Sequence, residues 1–391
     1  MSRLGTETAF EVLARARALE AQGRHIVHLE IGEPDFDTPA NIVRAGQDAL
    51  AKGFTHYGPS AGLPALREAI AADFTRRRGA AVKPEQVVVF PGGKPVMFFM
   101  FLALLEEGDE AIYPNPGFPI YESMIRYVGA TAVPLPLRPE NGFRVDVDEL
   151  LALVTPRTKL LVINSPQNPT GSMLTADDLK AIGRFAAERG LWILSDEIYS
   201  RITYGEPHHT MLRFGDPERI VVLDGFSKTY AMTGWRLGYG IMPAEFAPVM
   251  ARLQTNATSC TASMTQMAGV EALTGPQDSV DRMVAEFRKR RDVIVAGLNA
   301  LPGVTCVEPQ GAFYVFPEIR GTGLSSKDLE NRLLAEAGVA CLFGTAFGRE
   351  GDGFLRFSYA NSIENIREAL ARFGGFLQKG AARSRSSASA S

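Results

Sequence analysis

The chain has 391 residues, 46% of them hydrophobic, and a formal net charge of -3. This length allows two domains with sizeable cores, and the small net charge does not favour binding to nucleic acid or to a membrane surface. No long apolar run predicts a membrane span, and no apolar segment near the amino terminus predicts a signal peptide. The three cysteines are widely spaced and favour a reducing compartment, and the five histidines form no metal-binding motif. We therefore expect a cytoplasmic protein without a metal site.

Apolar strands and amphipathic helices alternate through the middle of the chain. The predicted strands are 87–90, 110–113, 159–164, 191–194 and 220–223. Helices are predicted at 95–105 and 175–189, the second with a capping box at Thr175 and Asp178. Continuous apolar strands separated by helices indicate an α/β fold with a mostly parallel sheet covered by helices. Ligands of such sheets bind at the carboxyl ends of the strands.

The C-terminal third has a different pattern. A long amphipathic helix is predicted at 286–301, and isolated strands are predicted at 311–316 and 354–358. This pattern predicts a smaller α+β domain that the N-terminal segment completes. The last residues are rich in Ala, Ser and Arg and have too little apolar surface to become ordered. We expect four parts, namely an N-terminal arm with part of the small domain at 1–47, a large domain at 48–284, a small C-terminal domain at 285–378 and a disordered tail at 379–391.

A lysine in an unusual setting follows the strand at 220–223. Lys228 lies among small residues in the fourteen-residue segment GFSKTYAMTGWRLG. A lysine at the end of a buried strand is suited to forming a Schiff base with an aldehyde cofactor. Arg236, eight positions later, can hold a phosphate group through a forked contact. A surface lysine beside a structural arginine is the ordinary alternative, but it does not explain the whole segment.

Four further motifs follow predicted strands. They are PGGKP at 91–95, NPGFPIY at 115–121, NSPQNPTG at 164–171 and SDEIY at 195–199. Taken singly, each has an ordinary structural interpretation as a turn, a core aromatic residue or a helix-capping acid. The PGGKP motif joins a strand to a helix, where backbone N–H groups can bind a phosphate. Its spacing differs from that of a Walker A loop.

Taken together and in this order, the motifs resemble those of the fold type I aminotransferases of class I and II, which are aspartate aminotransferase-like. The resemblance extends from Leu29 to Phe376. It implies a large α/β domain and a small α+β domain, with pyridoxal 5′-phosphate (PLP) as cofactor. It also implies ping-pong transfer of an amino group from an L-amino acid to a 2-oxo acid, and a homodimer with shared active sites.

The resemblance assigns roles around the cofactor ring. Lys228 forms the Schiff base and then moves the proton, which requires a lowered lysine pKa. Asp196 pairs with the pyridine nitrogen, and Tyr199 and Asn168 donate hydrogen bonds to the phenolic oxygen. Phe118 stacks on the ring.

Other residues are assigned to the cofactor phosphate and to the substrate. Arg356, on an apolar strand, corresponds to the arginine that clamps the substrate α-carboxylate, since a buried guanidinium needs an anion. The residues that resemble phosphate ligands are Gly93, Lys94, Ser227, Arg236 and, from the neighbouring subunit, Tyr57. The residues that resemble substrate ligands are Gly32, Asn168 and Arg356.

The chain departs from the family at one position. Many relatives carry a phosphate-binding serine three residues before the lysine, and Gly225 stands there instead. One hydroxyl contact to the phosphate is therefore missing.

The sequence leaves the reaction and the substrate partly open. Another PLP reaction, β-elimination or amino-acid oxidation, uses the same residues. A non-catalytic PLP-binding regulator is a further alternative, although the chain retains Lys228 and has no room before Leu29 for a DNA-binding domain. The segment 253–259, which resembles a substrate-facing loop from the partner subunit, has no Lys or Arg for a side-chain carboxylate. Lys94 is the remaining candidate cation.

Overall fold

Helices and strands alternate along most of the chain. The structure is a computed structural model that describes residues 4–388, with side chains described for residues 4–379. The α-helices are α1 (Thr8–Glu20), α2 (Ala40–Ala51), α3 (Pro64–Arg78), α4 (Lys94–Leu104), α5 (Ile120–Tyr127), α6 (Val147–Leu153), α7 (Ala176–Arg189), α8 (Ala247–Thr258), α9 (Ser263–Thr274), α10 (Asp278–Asn299), α11 (Ser326–Arg332) and α12 (Ile363–Ala388). The strands are β1 (Val27–His28), β2 (Val87–Phe90), β3 (Glu110–Asn115), β4 (Thr131–Pro136), β5 (Thr158–Asn164), β6 (Trp192–Asp196), β7 (Ile220–Gly225), β8 (Gly238–Ile241), β9 (Tyr314–Val315), β10 (Val339–Ala340), β11 (Leu342–Phe343) and β12 (Leu355–Ser358).

Seven strands form the central sheet, in the order β2-β8-β7-β6-β5-β3-β4. Strand β8 runs antiparallel to its neighbours β2 and β7, and the other neighbouring strands are parallel. Alternate residues of β2 enter different cores: Val87 and Val89 pack with residues of α3 and α9, and Val88 and Phe90 pack with residues of α4 and α8. Since successive side chains of a strand point to opposite faces, helices cover both faces of the sheet. The predicted mostly parallel, helix-covered sheet is confirmed.

The predicted elements of the middle of the chain agree with the structure within a few residues. Thr175 caps α7 with the expected capping box, and Gly190 ends this helix with φ 64°. Helix α10, by contrast, begins at Asp278 rather than at 286, because Val280 and Met283 continue its buried face towards the amino terminus. The strand predicted at 311–316 contains only Tyr314–Val315, since the backbone of Ala312 has a positive φ of 58° that breaks the extended conformation.

Short strands form the second part of the fold. Strand β12 pairs antiparallel with β11 and β9, and β1 pairs parallel with β10. Leu29 of the N-terminal segment shares a core with Phe287 of α10 and Phe357 of β12. The two ends of the chain therefore pack together. The boundary predicted at 47/48 falls inside α2, which packs against α9.

Helix α12 continues to Ala388, so the backbone of part of the tail at 379–391 is helical in the structure. Residues 389–391 lie outside the described residues, and the predicted disorder of the tail stays a prediction. Within residues 4–388, no helix is both long enough and apolar enough to cross a membrane.

Candidate active site

A cavity of about 1010 Å³ lies at the carboxyl ends of β5, β6 and β7. Parallel strands end at the same edge of a sheet, so the motifs that follow them meet there. The predicted site residues that line this cavity are Gly32, Gly93, Lys94, Phe118, Asn168, Asp196, Tyr199, Ser227, Lys228, Arg236 and Arg356. The structure thus brings together the predicted site residues apart from Tyr57.

The amine of Lys228 is held in the cavity by the loop that carries Gly32. Its Nζ donates a hydrogen bond of 2.6 Å to the carbonyl oxygen of Gly32. Burial lowers the pKa of Lys228 to about 8, the acids Glu33 and Glu7 oppose the shift, and nearby arginines add to it. A pKa near 8 leaves an appreciable fraction of the lysine uncharged near neutral pH, which nucleophilic attack and proton transfer require.

Asp196 ends β6 and is 4% exposed. Its Oδ2 accepts a hydrogen bond of 2.6 Å from the hydroxyl of Tyr121, and its Oδ1 accepts one of 3.2 Å from the backbone N–H of Ile198. Burial raises the pKa of Asp196 to about 6, although both hydrogen bonds favour the ionised form. The carboxylate therefore remains charged at neutral pH.

Tyr121 was not predicted as a site residue. It lies three positions after Phe118 at the start of α5, and the two rings meet edge to face with centroids 5.7 Å apart. The spacing of three is the available signal, because a turn closed by a 3.1 Å hydrogen bond from the Tyr121 N–H to the Phe118 carbonyl brings the two residues together.

Tyr314 is a second site residue that the sequence analysis missed. Its hydroxyl lies 2.8 Å from the hydroxyl of Tyr199, and burial raises the pKa of both phenols. A Cβ atom on Gly32 would lie 2.1 Å from the Tyr314 hydroxyl. The glycine thus allows this loop to approach the two tyrosines closely.

Arg356 lies on β12 and is 4% exposed. Its Nη1 donates to Oδ1 of Asn168 over 3.1 Å, and its Nη2 donates to the carbonyl of Glu30 over 2.5 Å. The guanidinium stacks between Tyr314 and Phe347, with ring centroids at 4.4 and 4.8 Å. Its Nε is buried and has no hydrogen-bond partner among the described residues. A buried guanidinium with an unused donor is suited to binding a carboxylate.

The amino terminus of α4 and the side chain of Arg236 form a site suited to a phosphate. Gly93 precedes the helix, so N–H groups of its first turn have no partner within the helix. Gly92 has φ +97°, and a Cβ atom there would lie 2.2 Å from Nη2 of Arg236. Arg236 itself is held by a 2.8 Å hydrogen bond to the carbonyl of Thr233, and Ser227 lines the same cavity.

Packing explains the glycine at position 225. A Cβ atom there would lie 3.0 Å from the Cα of Gly238 and 3.1 Å from the carbonyl oxygen of Leu237. Both belong to the segment that leads into β8, which pairs with β7 at Gly225. The close approach of these two backbones leaves little space for a side chain, so β8 would have to shift by a few tenths of an ångström to admit a serine.

Two predicted features lie apart from the cavity. Tyr57 is 89% exposed and does not line it. The segment 253–259 is mostly helical rather than a loop, because α8 continues to Thr258. Thr255 and Asn256 bond back to carbonyls four residues earlier, which satisfies their side chains within the helix.

A buried ion cluster lies behind Asp196. Arg78 pairs with both Glu197 and Asp224, and Nε2 of His208 lies 2.9 Å from Glu197. Burial opposes ionisation of Glu197, but His208 and Arg78 lower the pKa of Glu197 to about 2. Sequence analysis missed this cluster, because its members come from segments far apart in the chain.

These side chains fit PLP. The cavity supplies an amine for the aldehyde, a buried carboxylate for the pyridine nitrogen and donors for the phenolic oxygen. It also supplies a helix amino terminus with an arginine for the phosphate. Arg356, with its unused donor, is available for the carboxylate of an amino acid.

Comparison with known proteins agrees with this geometry. Residues 24–373 match the model of the family described as aminotransferase class I and II. The chain is 42% identical to an aspartate aminotransferase of Pyrococcus horikoshii, over 94% of each protein. It is also 42% identical to an aspartate/prephenate aminotransferase of Thermus thermophilus, again over 94% of each. A solved structure of aspartate aminotransferase from Thermus thermophilus with maleate is 40% identical and has a TM-score of 0.92, covering 96% of this chain and 98% of that one.

The chain belongs to the class I and II aminotransferase family. It is a PLP-dependent aminotransferase that acts on amino-acid and 2-oxo-acid substrates. The predicted family, fold class, cofactor and reaction are confirmed.

Proposed function

We propose that Lys228 is the covalent attachment point of the cofactor and the group that moves the substrate α-proton. PLP, when bound, supplies an aldehyde that takes up the amino group and a ring that withdraws electrons from the substrate α-carbon. The buried amine of Lys228, with its pKa of about 8, can accept a proton from the substrate α-carbon and then donate this proton to a different atom. The observation that carries this proposal is the presence of this amine and the buried Arg356 in one cavity.

Asp196 and its neighbours would keep the pyridine nitrogen of the cofactor protonated, which is the form that withdraws electrons. The Asp196 carboxylate, ionised above a pKa of about 6, favours a proton on the pyridine nitrogen. Tyr121 orients the carboxylate through its 2.6 Å hydrogen bond. Tyr199 and Asn168, which line the same cavity, would donate to the phenolic oxygen of the bound cofactor, and Phe118 would stack on its ring.

Arg356 binds the substrate α-carboxylate, with Gly32 and Asn168 beside it. The stack between Tyr314 and Phe347 fixes the plane of the guanidinium, so its donors are oriented before substrate arrives. The backbone of Gly93 and Lys94, together with Ser227 and Arg236, would hold the phosphate of the cofactor.

We also propose a homodimer with shared active sites. Tyr57 is 89% exposed and lies outside the cavity of its own chain, which suits contact with the phosphate in a neighbouring subunit. Leu50, in the preceding helix, is 49% exposed and supplies apolar surface for the same contact.

A cytoplasmic location and a two-domain organisation remain part of the proposal. Cys306 and Cys341 are buried and unpaired, which suits a reducing compartment. We propose the predicted division 1–47, 48–284 and 285–378 with its first boundary moved to the start of α2 at Ala40, because α2 packs against α9.

Substitution of Lys228 by alanine tests the proposed mechanism. In the wild-type enzyme, an amino donor alone should convert the cofactor absorbance from the aldehyde form to the amine form, and an added 2-oxo acid should reverse the change. Lys228→Ala should show no detectable turnover, because no other amine replaces the lost base. Lys180→Ala, an exposed lysine outside the cavity, is the matched control. Turnover by Lys228→Ala at the wild-type rate would overturn the assignment.

A further inference from the structure

The carboxylate of Glu7 lies beside Lys94, which is the candidate cation for a substrate side-chain carboxylate. It directly precedes α1 and forms an ion pair with Lys94, the first residue of α4. Nζ of Lys94 also lies 5.7 Å from the ring centroid of Phe118. Glu7 and Lys94 both line the cavity that contains Lys228 and Arg356. The positive charge of Lys94 is therefore already paired with a carboxylate.

The segment that carries Glu7 is anchored at both ends. On one side, the backbone N–H of Gly5 donates to the hydroxyl of Ser123 in α5 over 2.8 Å. On the other side, Arg15 of α1 contacts Glu330 over 3.1 Å and Asn331 over 2.8 Å. The Glu7 carboxylate is therefore placed at the cavity by contacts to two different parts of the fold, in addition to its pair with Lys94.

The field of Glu7 extends to the reacting groups. Its charge raises the pKa of Lys228 and opposes the lowered pKa of Arg356, so its carboxylate lies within electrostatic range of both. The cavity lining near the amino terminus is otherwise partly apolar, with Leu13 of α1 and Met97 of α4. A substrate held by Arg356 therefore meets an acid, a paired lysine and apolar side chains near the start of α1, and Arg17 lines the cavity farther along the same helix.

We propose that Glu7 is a specificity-determining residue that selects against substrates with a second carboxylate and favours amino acids with uncharged side chains. A distal carboxylate that approaches Lys94 must either displace Glu7 from it or remain beside a like charge, and both alternatives weaken its binding. An uncharged side chain leaves the ion pair intact and packs on the apolar part of the lining. The same preference applies to the 2-oxo acid, since both substrates of a ping-pong cycle use one pocket. This inference rests on the proposed function.

The test compares an acidic and an uncharged donor in a charge-neutral variant. In Glu7→Gln, kcat/KM for aspartate should rise about tenfold, because Lys94 becomes available to the second carboxylate, while kcat/KM for phenylalanine should change less than about twofold. Adding Lys94→Gln to Glu7→Gln should remove the gain for aspartate. Glu11 is an exposed acid of α1 outside the cavity, so Glu11→Gln should leave the ratio of the kcat/KM values for the two donors unchanged.

Each outcome decides between defined alternatives. An unchanged ratio of kcat/KM for aspartate to kcat/KM for phenylalanine in Glu7→Gln would overturn the inference. An equal rise for both donors would also overturn it, because it would indicate that Glu7 acts through Lys228 or through the position of α1 rather than on the second carboxylate. A wild-type enzyme that transaminates neither donor, nor any other amino acid, would instead contradict the proposed function. The two failures are therefore distinguishable.

Discussion

The buried carboxylate of Asp196, which is placed to act on the cofactor, lowers the free energy of unfolding of the protein. Its pKa is raised from 3.8 to about 6, mainly by burial. The folded state therefore holds the proton more tightly than the unfolded state. The free energy of unfolding contributed by this group falls as pH rises from 3.8 to about 6, and the cost is complete above that range. It amounts to up to about 3 kcal/mol, at about 1.4 kcal/mol for each pKa unit.

Asp196→Asn should therefore inactivate the enzyme and stabilise the PLP-free protein. An amide has no charge to bury, and the Tyr121 hydroxyl can accept a hydrogen bond from it instead of donating one. Urea unfolding of the PLP-free proteins should give a gain of up to about 3 kcal/mol at pH 8 that shrinks towards pH 4. The exposed Asp48→Asn serves as the control. A pH-independent difference between variant and wild type would contradict the explanation.

Arg356 should not tolerate replacement by another cation. Lysine keeps the charge but loses the forked donors and the planar stack between Tyr314 and Phe347. We expect Arg356→Lys to lower kcat/KM by about 10- to 100-fold, equivalent to one charge-assisted hydrogen bond of about 1.5–3 kcal/mol. Steady-state kinetics with one amino donor measures the effect, and Arg184→Lys on the exposed face of α7 is the control. Equal kinetics of Arg356→Lys and wild type would mean that another group binds the α-carboxylate.

At the scale of elements, the contact between β7 and β8 leaves little space for a side chain at Gly225. Gly225→Ser restores the residue common in relatives, but its Cβ meets the backbone of β8 at about 3.0 Å. We expect a loss of about 1–3 kcal/mol in the free energy of unfolding and no gain in PLP affinity. Chemical denaturation and cofactor titration measure the two quantities. Gly205→Ala, where no atom lies within 4 Å, provides an unstrained comparison. Tighter PLP binding by a fully stable Gly225→Ser would show that β8 can move aside.

The sequence could predict the elements and residues whose signals are local. Strands such as β2 are short apolar runs, and Lys228 or Asp196 follows such a strand within a few residues. Helices α1 and α2 were not predicted, because neither has a side-chain cap at its amino terminus that would mark its start in the sequence. Other site residues depend on partners far away in the sequence. Tyr314 and Arg78 contact residues 115 and 119 positions away, and Glu7 contacts Lys94, 87 positions away. No spacing in the sequence indicates such contacts.

The whole-molecule prediction concerns assembly. If Tyr57 contacts the phosphate of a neighbouring subunit, the enzyme should be a dimer in solution. Tyr57→Phe should remain a dimer and bind PLP about tenfold more weakly, because one hydroxyl contact to the phosphate is lost. Light scattering gives the mass and fluorescence titration gives the affinity, with Tyr127→Phe as the control for a partly exposed tyrosine. A fully active monomer would refute the shared site.

The hydrogen bond between Arg356 and the carbonyl of Glu30 joins residues that are 326 positions apart. Arg356 also contacts Asn168, 188 positions earlier. During synthesis the sheet residues emerge long before β12, so the carboxylate clamp is completed last. Contacts between residues so far apart in the sequence form slowly, because the entropy cost of closing a large loop comes before the contacts stabilise the chain. The growing chain therefore lacks a complete cleft until β12 folds back onto the N-terminal loop, and substrate recognition begins only after β12 has been synthesised.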